Sequence, residues 1–476
     1  MRSSLRYVLL STAILALTSA AAPAQEADGT IEFLEGGSLS SDCYMSLGFL
    51  YGAGSRPDGL GSQVSTVRAG VACVSGNPAG LASLRGEALL VDILPPLGAS
   101  ASEILDIEGA AADAIDDAID DYTTHGFEPG YPTFSTDVGQ PGGVISGVFG
   151  GRMGRIVAGV AIEEPMAIGL ELVDTGLEVF GETSKEEGDD LVDIQLRCMG
   201  DAAADLTFGV TRTTLAAASD ITSDVSMGLS LSRYHGSAEL SAVLRADGIV
   251  DYGGQEYAFN DPSAPWYNEL GATAKGSYAG DAFGWSIGAS WRPTDHITVD
   301  AAYMNMPRLT MTGSLTTVEN TMPGLTDGDY DLDQILDSQP TLTERTETVE
   351  DDPFILCLPS YAGLAVSMRA PFVLGTLEYR RYSGSFGFEY QDISEGVDVT
   401  DGVGLELDFG GLVLGGGVIR GTLLGESIDE GSAGDDILIP LANVGLGIDI
   451  GQNMRLDTML IAVPLQVMRM TLGYDF

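Results

Sequence analysis

Apolar and polar residues alternate along several segments of the chain, and this period of two constrains the fold more than any other feature. The alternation is clearest at the C-terminus, where one face carries Met468, Met470, Leu472, Tyr474 and Phe476. It recurs in the segments 225–232, 283–292, 297–303, 403–409 and 444–450. A strand with one apolar and one polar face fits a sheet that separates two environments. The sequence therefore predicts an all-β protein.

The apolar faces are best explained by contact with membrane lipid. A sheet exposed to lipid must close into a barrel, because an open edge would leave backbone groups unpaired in hydrocarbon. A short connection at 292–296 contrasts with long polar segments at 95–140, 182–200 and 315–353, as expected of outer-membrane barrels. We therefore expect a transmembrane antiparallel β-barrel. The terminal Phe476 resembles the signal that barrel-assembly machinery reads, which makes that machinery an expected partner.

The N-terminus has the features of a secretory signal peptide. Arg2 and Arg6 precede a mostly apolar run at 7–17, and Ala22-Pro23-Ala24 forms a small-residue cleavage site. The run is too short for a membrane-spanning helix. We expect residues 1–24 to be the signal peptide, and the mature protein to lie in the outer membrane of a Gram-negative-type cell.

The charge of the chain excludes one class of partner. The sequence holds 69 Asp and Glu residues against 22 Lys and Arg, a net charge of −47. A surface this acidic repels phosphate backbones, so no nucleic-acid binding is expected. Hydrophobic residues make up 44% of the chain, enough for a large buried or lipid-facing surface. The acidity therefore does not predict disorder.

The chain has four cysteines, Cys43, Cys73, Cys198 and Cys357, and an exported protein can form disulfides. The sequence leaves all three pairings of the four residues open. Closely spaced cysteines and clusters of cysteine with histidine are missing from the sequence, so neither a metal site nor a cofactor is expected.

A turn motif precedes the first predicted strand, which covers 88–93. Asn77-Pro78-Ala79-Gly80 is a turn signal, because proline fixes φ and asparagine can cap the local backbone. By itself the motif predicts only a loop. Together with a Gly-rich N-terminal segment and the strand after it, the motif resembles the FadL-type outer-membrane transporters of long-chain fatty acids and other hydrophobic compounds. Further similar stretches follow in the same order at 157–165, 284–307 and 358–379.

The resemblance implies a barrel of 14 strands with a small N-terminal hatch that plugs the lumen. It implies a hatch at 25–85, with Asn77, Pro78 and Ala79 at the family's Asn-Pro-Ala motif, and a barrel at 86–476. The implied function is passive, cofactor-free uptake of long-chain fatty acids or other hydrophobic compounds. A shift of the hatch and a lateral gap in the wall would release the ligand. The expected partners are a hydrophobic small molecule and membrane lipid.

The acidity and the cysteines depart from the family pattern. Arginines on predicted strands are candidate counter-ions for a ligand carboxylate: Arg245, Arg292, Arg380 and Arg381. Each is better explained as an ordinary arginine of the lumen or of the interface girdle, paired with an acid. We therefore assign no ligand-binding residue from the sequence.

Three other functions compete with transport. His235, Ser237 and Glu239 would share one side of a strand, as a lipid hydrolase needs, but the chain has three histidines and no nucleophile-elbow motif. We therefore expect no enzyme. Asp327, Asp329, Asp331 and Asp333 suggest a calcium loop, yet Leu332 and Ser338 occupy the positions that an EF-hand gives to Gly and Glu.

A general porin or a purely structural barrel is the remaining alternative, because the composition fits either one. The N-terminal segment separates them from a transporter. A water-filled porin does not need a plug before its first strand. Removal of residues 25–85 is therefore expected to raise permeability to small solutes if that segment is a hatch.

Overall fold

The structure is a computed structural model that describes residues 30–35, 38–46, 64–67, 70–94, 133–139, 143–187, 190–252, 254–258, 270–321, 343–370, 374–390, 393–408, 417–429, 436–450, 453–463 and 467–476. Two short 3-10 helices, Gly70–Val74 and Pro78–Ser83, lie near the N-terminus. The strands are β1 (Thr30–Glu35), β2 (Ser38–Ser46), β3 (Glu87–Leu94), β4 (Thr133–Gly139), β5 (Gly143–Met153), β6 (Ile156–Glu187), β7 (Asp190–Asp220), β8 (Val225–Tyr252), β9 (Gln255–Ala258), β10 (Leu270–Thr294), β11 (Ile297–Asn305), β12 (Leu309–Thr321), β13 (Thr343–Cys357), β14 (Ser360–Arg369), β15 (Leu374–Ser383), β16 (Ser385–Tyr390), β17 (Ile393–Asp408), β18 (Gly417–Asp429), β19 (Asp436–Ile450), β20 (Met454–Val463) and β21 (Val467–Asp475).

The wall is an antiparallel meander of 14 strand positions. Three positions consist of two consecutive strands each: β11 with β12, β13 with β14, and β15 with β16. The last strand, β21, pairs with β3 from Met470↔Ile93 to Asp475↔Ala88, so the succession of neighbours returns to its first strand. The prediction of an all-β antiparallel barrel is confirmed. Within the described part of the chain, no helix is long and apolar enough to cross a membrane.

The outward face carries a belt of exposed apolar side chains. The belt includes Phe149, Ile156, Ile162, Leu215, Met227, Leu229, Leu231, Phe283, Trp285, Ile287, Trp291, Tyr303, Leu364, Val366, Met368, Leu377, Tyr379 and Leu472. On β10 the belt runs from Phe283 to Trp291, close to the roughly 9–11 residues with which a tilted strand crosses a bilayer. In water this many exposed apolar groups would drive aggregation, whereas in lipid they are solvated. The barrel is therefore a transmembrane one.

Several strands continue well beyond this belt. Strand β6 has 32 residues and β7 has 31, which corresponds to a length of about 100 Å. The prediction of a long loop at 182–200 is wrong, because β6 continues to Glu187 and β7 begins at Asp190. The loop prediction follows from residues 182–190, which are all polar, charged or glycine, although apolar residues alternate again at Val192, Ile194, Leu196 and Cys198. Most of the other two predicted loops, at 95–140 and 315–353, lies outside the described residues.

Candidate functional site

A buried piece of chain lies inside the barrel, next to the inward faces of the strands. It consists of residues 64–67 and 70–84, here called the interior segment. Asn77 is 1% exposed, and Val64, Val74 and Leu81 are fully buried. The expected hatch range of 25–85 contains this segment, and it also contains β1 and β2, which pair with β6 in the sheet. The signal peptide prediction at 1–24 lies outside the described residues.

Apolar side chains hold one side of the interior segment against the wall. A single cluster joins Val71, Val74, Leu81 and Leu84 of the segment to Ala88, Val148, Val157, Ala161, Ala216 and Ala218 of β3, β5, β6 and β7. The wall residues are small or β-branched, so the segment lies close to the backbone of the strands. Full burial of a Val or Leu side chain is worth about 1.5–3 kcal/mol, and the cluster is therefore a main source of the segment's binding energy.

Asn77 connects the segment to itself and to the wall. Its Nδ2 donates to the carbonyl of Val64 at 2.8 Å and approaches the carbonyl of Ala301 at 3.3 Å. Its Oδ1 accepts from the backbone N–H of Ala79 at 3.1 Å and so caps the helix Pro78–Ser83. Pro78 can occupy the first position of this helix without the loss of a hydrogen bond, because an N–H group at that position would have no partner inside the helix. The Asn-Pro-Ala motif is therefore a buried cap, and its role in transport stays a prediction.

Glycines in the wall make room for the segment. Gly288 on β10 and Gly228 on β8 are register partners, and both face the interior. An added Cβ at Gly228 would lie 2.4 Å from the Pro78 carbonyl carbon. Similarly, Gly150 and Gly159 are partners on β5 and β6, and added Cβ atoms there would meet Val71 and Val74 at 2.7 and 2.5 Å. Sequence reasoning missed these contacts, although the inward Gly-Ser alternation on β8 and β10 was visible.

Two buried carboxylates on the wall bind the first residues of the segment. Asp300 accepts from the Thr66 backbone N–H at 2.8 Å and from the Thr66 hydroxyl at 2.7 Å. Glu378 accepts from the Val64 backbone N–H at 3.2 Å. Hydrogen bonds to charged groups contribute about 1.5–3 kcal/mol, more than neutral ones. At the other end, Arg152 donates to the Ala82 carbonyl at 2.7 Å.

A buried ion pair lies beside the segment, at the point where β6 departs from regular pairing. Glu163 Oε2 and Arg212 Nη2 are 2.8 Å apart, and both side chains are almost fully buried. The register of β6 with β7 shifts between Glu163 and Met166, where Pro165 offers no N–H to the ladder. The Arg212 guanidinium also lies 6.0 Å from the centre of the Tyr234 ring. The pair thus joins β6 to β7 next to an irregular point in the wall.

Beyond the ion pair the barrel interior is lined by apolar and aromatic side chains. This interior apolar cluster contains Met166, Phe208, Val210, Tyr234, Ala238, Tyr278, Leu309, Met311, Leu356 and Leu358. Along β8, the cluster begins about 20 Å from Gly228, where the interior segment docks. Phe354 packs against it, with its ring 6.0 Å from that of Phe208. The interior therefore changes from polar and glycine-rich beside the segment to apolar beyond it.

The four candidate arginines lie in different environments. Arg380 is buried, with its Nε 3.3 Å from Glu378 Oε1. Arg381 is exposed on the outward face, and the exposed Arg292 lies 3.7 Å from Asp220. The side chain of Arg245 lies outside the described residues. None of the three described arginines is thus positioned as a separate carboxylate receptor.

The residues considered for a hydrolase lie on the outer surface. His235, Ser237 and Glu239 are exposed on the outward face of β8. His235 Nδ1 is 3.1 Å from Asp281, which also binds Arg233 through two hydrogen bonds. The four aspartates of the candidate calcium loop lie outside the described residues. Among the described residues, no group of three or more His, Cys, Asp or Glu side chains is arranged to hold a metal.

No protein-family model matches the chain, and no curated protein matches its sequence significantly. Among solved structures it is similar to a Pseudomonas aeruginosa FadL homologue, with 13% identity, a TM-score of 0.46, and coverage of 94% of this chain and 99% of that one. It is similar to the Ralstonia pickettii toluene transporter TbuX at 14% identity and a TM-score of 0.42, over 93% of this chain and 99% of that one. It is also similar to the Pseudomonas putida toluene transporter TodX, with 10% identity and a TM-score of 0.41, over 93% of this chain and 98% of that one.

Proposed function

We propose that this protein is an outer-membrane transporter through which hydrophobic small molecules diffuse passively. The interior segment acts as the hatch, within the range 25–85, and Asn77, Pro78 and Ala79 form its buried helix cap. Residues 86–476 supply the wall. Residues 1–24 direct export, and Phe476 is recognised by the barrel-assembly machinery before the belt enters membrane lipid.

The observation that carries this proposal is the interior apolar cluster. A porin lumen is polar because water fills it. Here side chains such as Phe208, Tyr278 and Leu356 face inward from three different strands and are buried together. An apolar interior of this kind suits an apolar ligand, which a water-filled channel would exclude.

The position of the interior segment explains why passage would need a conformational change. The segment is held by an apolar cluster on one side and by Asp300 and Glu378 on the other. A ligand that reaches the interior apolar cluster would therefore find its way through the barrel blocked by the interior segment. Loss of a few hydrogen bonds around Thr66 and Asn77 would weaken the attachment of the interior segment to the wall. We assign the hatch movement to the breaking of these contacts.

The candidate substrates are long-chain fatty acids and other hydrophobic compounds, and the charge of the interior discriminates between them. The buried charged side chains of the described barrel are Asp92, Glu163, Asp300, Glu378 and Asp457 against Arg212 and Arg380. Carboxylates are thus in excess, and they repel a ligand carboxylate in a weakly screened interior. We therefore propose that uncharged hydrophobic compounds pass more readily than fatty-acid anions.

Uptake by cells that lack their own outer-membrane transporters for hydrophobic compounds tests the proposal. The cells would express the parent chain, Asn77→Ala or the exposed control Asn453→Ala, with barrel assembly checked by heat-modifiable mobility. We expect the parent and the control to take up a labelled long-chain alcohol and to exclude a small sugar, and Asn77→Ala to change both rates. Sugar passage through the assembled parent without alcohol uptake would instead identify a general porin. An assembled parent that passes neither compound would be a structural barrel.

A further inference from the structure

Strands β5 and β6 separate partway up the wall. They pair from Met153↔Ile156 to Ser146↔Glu163. Beyond that point β6 continues past Pro165, and its register with β7 shifts between Glu163 and Met166. The strand ladder between β5 and β6 thus ends where the irregular point of β6 begins, at the edge of the apolar belt that Ile162 marks.

Strand β2 occupies the space that opens there. It pairs antiparallel with β6 from Ser46↔Ala167 to Ser38↔Thr175. On its other side it pairs with β4, from Ser38↔Thr133 to Tyr44↔Gly139. Strand β4 directly precedes β5 in the chain. Strand β2 therefore lies between β4 and β6, beyond the point where β5 and β6 stop pairing.

The orientation of β2 shows that it is not a member of the meander. The ladder of β2 with β4 is parallel, whereas all other ladders of the described residues are antiparallel. Successive strands of a meander are antiparallel because short turns connect them. Strand β2 reaches this place from the N-terminal side of the chain instead. Strand β1, which precedes it, pairs with a later part of β6 from Glu35↔Glu178 to Thr30↔Glu182, so β2 would leave as a section between two attached parts of the chain.

The sequence of β2 is also weak for a strand with two neighbours. It reads Ser-Leu-Ser-Ser-Asp-Cys-Tyr-Met-Ser, with no valine, isoleucine or threonine among its residues. Strands favour β-branched and aromatic residues, and aspartate is depleted in them. The adjoining part of β6, by contrast, contains Ile168 and Val173. The inserted strand is therefore the least strongly specified of the three.

We propose that β2 is a removable part of the wall, and that its departure opens a lateral exit for the ligand. The exit would lie between β4 and β6, beside Met166 of the interior apolar cluster. Residues 47–63 connect β2 to the interior segment in the sequence, and we propose that departure of β2 accompanies movement of the segment. The proposal rests on the transport function proposed above and adds the element that regulates release.

A disulfide that locks β2 to β6 tests this directly. Cys43 is the register partner of Leu170, so Leu170→Cys in a chain with Cys73→Ala, Cys198→Ser and Cys357→Ser places two thiols opposite each other. The matched control is Leu172→Cys in the same background, because its partner is Ser41. Assembly is checked by heat-modifiable mobility, and disulfide formation by mass spectrometry.

We expect the oxidised Leu170→Cys barrel to lose uptake of a labelled long-chain alcohol by at least fivefold and to regain it with reductant. The Leu172→Cys control should not respond. Unchanged uptake in a fully cross-linked barrel would overturn the proposal, and so would failure of an assembled barrel to form the disulfide.

A background chain that takes up no hydrophobic compound would reject the proposed function instead. Hydrogen exchange then decides about β2 separately. If β2 is removable, the amides of 38–46 and those of 167–175 that point towards β2 exchange much faster than those of the β7–β8 ladder, whereas the alternate amides of 167–175 stay protected by β7. Equal protection in both ladders would reject a removable strand.

Discussion

The side-chain oxygen of Asn77 lies 1.8 Å from the place that a Cβ atom on Gly288 would take, so the two residues fit only because position 288 has no side chain. Gly228, the register partner of Gly288, is related in the same way to the Pro78 backbone. Two glycines on neighbouring strands thus form the surface on which the Asn-Pro turn rests. The docking of the interior segment depends on the wall as much as on the segment's own motif.

Gly228→Ala should displace the interior segment. The added methyl group would meet the Pro78 carbonyl carbon and the Ala79 nitrogen, which are backbone atoms and cannot rotate away. Overpacking of this kind costs about 1–3 kcal/mol. We expect a lower urea midpoint in detergent and faster entry of small sugars into proteoliposomes. Gly147→Ala is the control, because an added Cβ there meets nothing within 4 Å. The same urea midpoint and the same sugar entry in both variants would contradict the claim that the interior segment docks on Gly228.

Asn77→Asp should weaken the segment although it keeps the size of the side chain. The carboxylate retains the acceptor for the Ala79 N–H but loses the two donors directed at the Val64 and Ala301 carbonyls. Ala301 keeps its partners in the sheet, whereas a buried acceptor left without a partner, as the Val64 carbonyl would be, costs about 1–3 kcal/mol. We expect a lower stability and increased sugar leakage, measured as above. The exposed Asn453→Asp serves as the control, and a leak of the same size in both would show that Asn77 does not hold the segment.

Much of the wall within the membrane could be predicted from the sequence. The segments 225–232, 283–292 and 297–303 were visible because lipid on one side and the interior on the other enforce alternation. Residues 182–190 are all polar, charged or glycine, and this stretch hides the end of β6. Alternation returns at Val192, Ile194, Leu196 and Cys198, so the start of β7 does leave a trace in the sequence. The prediction of a loop at 182–200, where the structure has a strand hairpin, missed that trace.

The site was less predictable than the wall. Asn77 and Pro78 signal a turn from local sequence, and that part needed no tertiary information. The partners of Thr66 and Val64, Asp300 and Glu378, lie far away in sequence and are brought close by the strand register. A single sequence carries no local trace of such pairings. The inward glycines were the one available signal, since glycine is unfavourable in a strand unless another backbone approaches closely.

Glu163→Gln should destabilise the barrel beside Pro165. The variant leaves the buried Arg212 guanidinium without its ion partner, and breaking a buried pair in this way costs about 3–5 kcal/mol. The double variant Glu163→Gln with Arg212→Met should recover most of the loss, because it removes both charges. Urea unfolding in detergent measures the two effects. The exposed Glu171→Gln on the same strand is the control, and a double variant no more stable than the single one would contradict a dominant role of the ion pair.

The excess of buried carboxylates predicts a preference that depends on ligand charge. At pH 7.5 the parent barrel should take up a long-chain alcohol faster than the acid of equal chain length, because the interior repels the ionised ligand. As the pH falls towards the pKa of the fatty acid's own carboxyl group, more of the acid becomes neutral. Its uptake should then rise, while uptake of the alcohol stays nearly constant. Initial rates in proteoliposomes with both labelled compounds measure the ratio, and protein-free liposomes correct for direct permeation. If the acid passes faster than the alcohol at pH 7.5, the interior charge does not select the substrate, and fatty-acid anions become the preferred cargo.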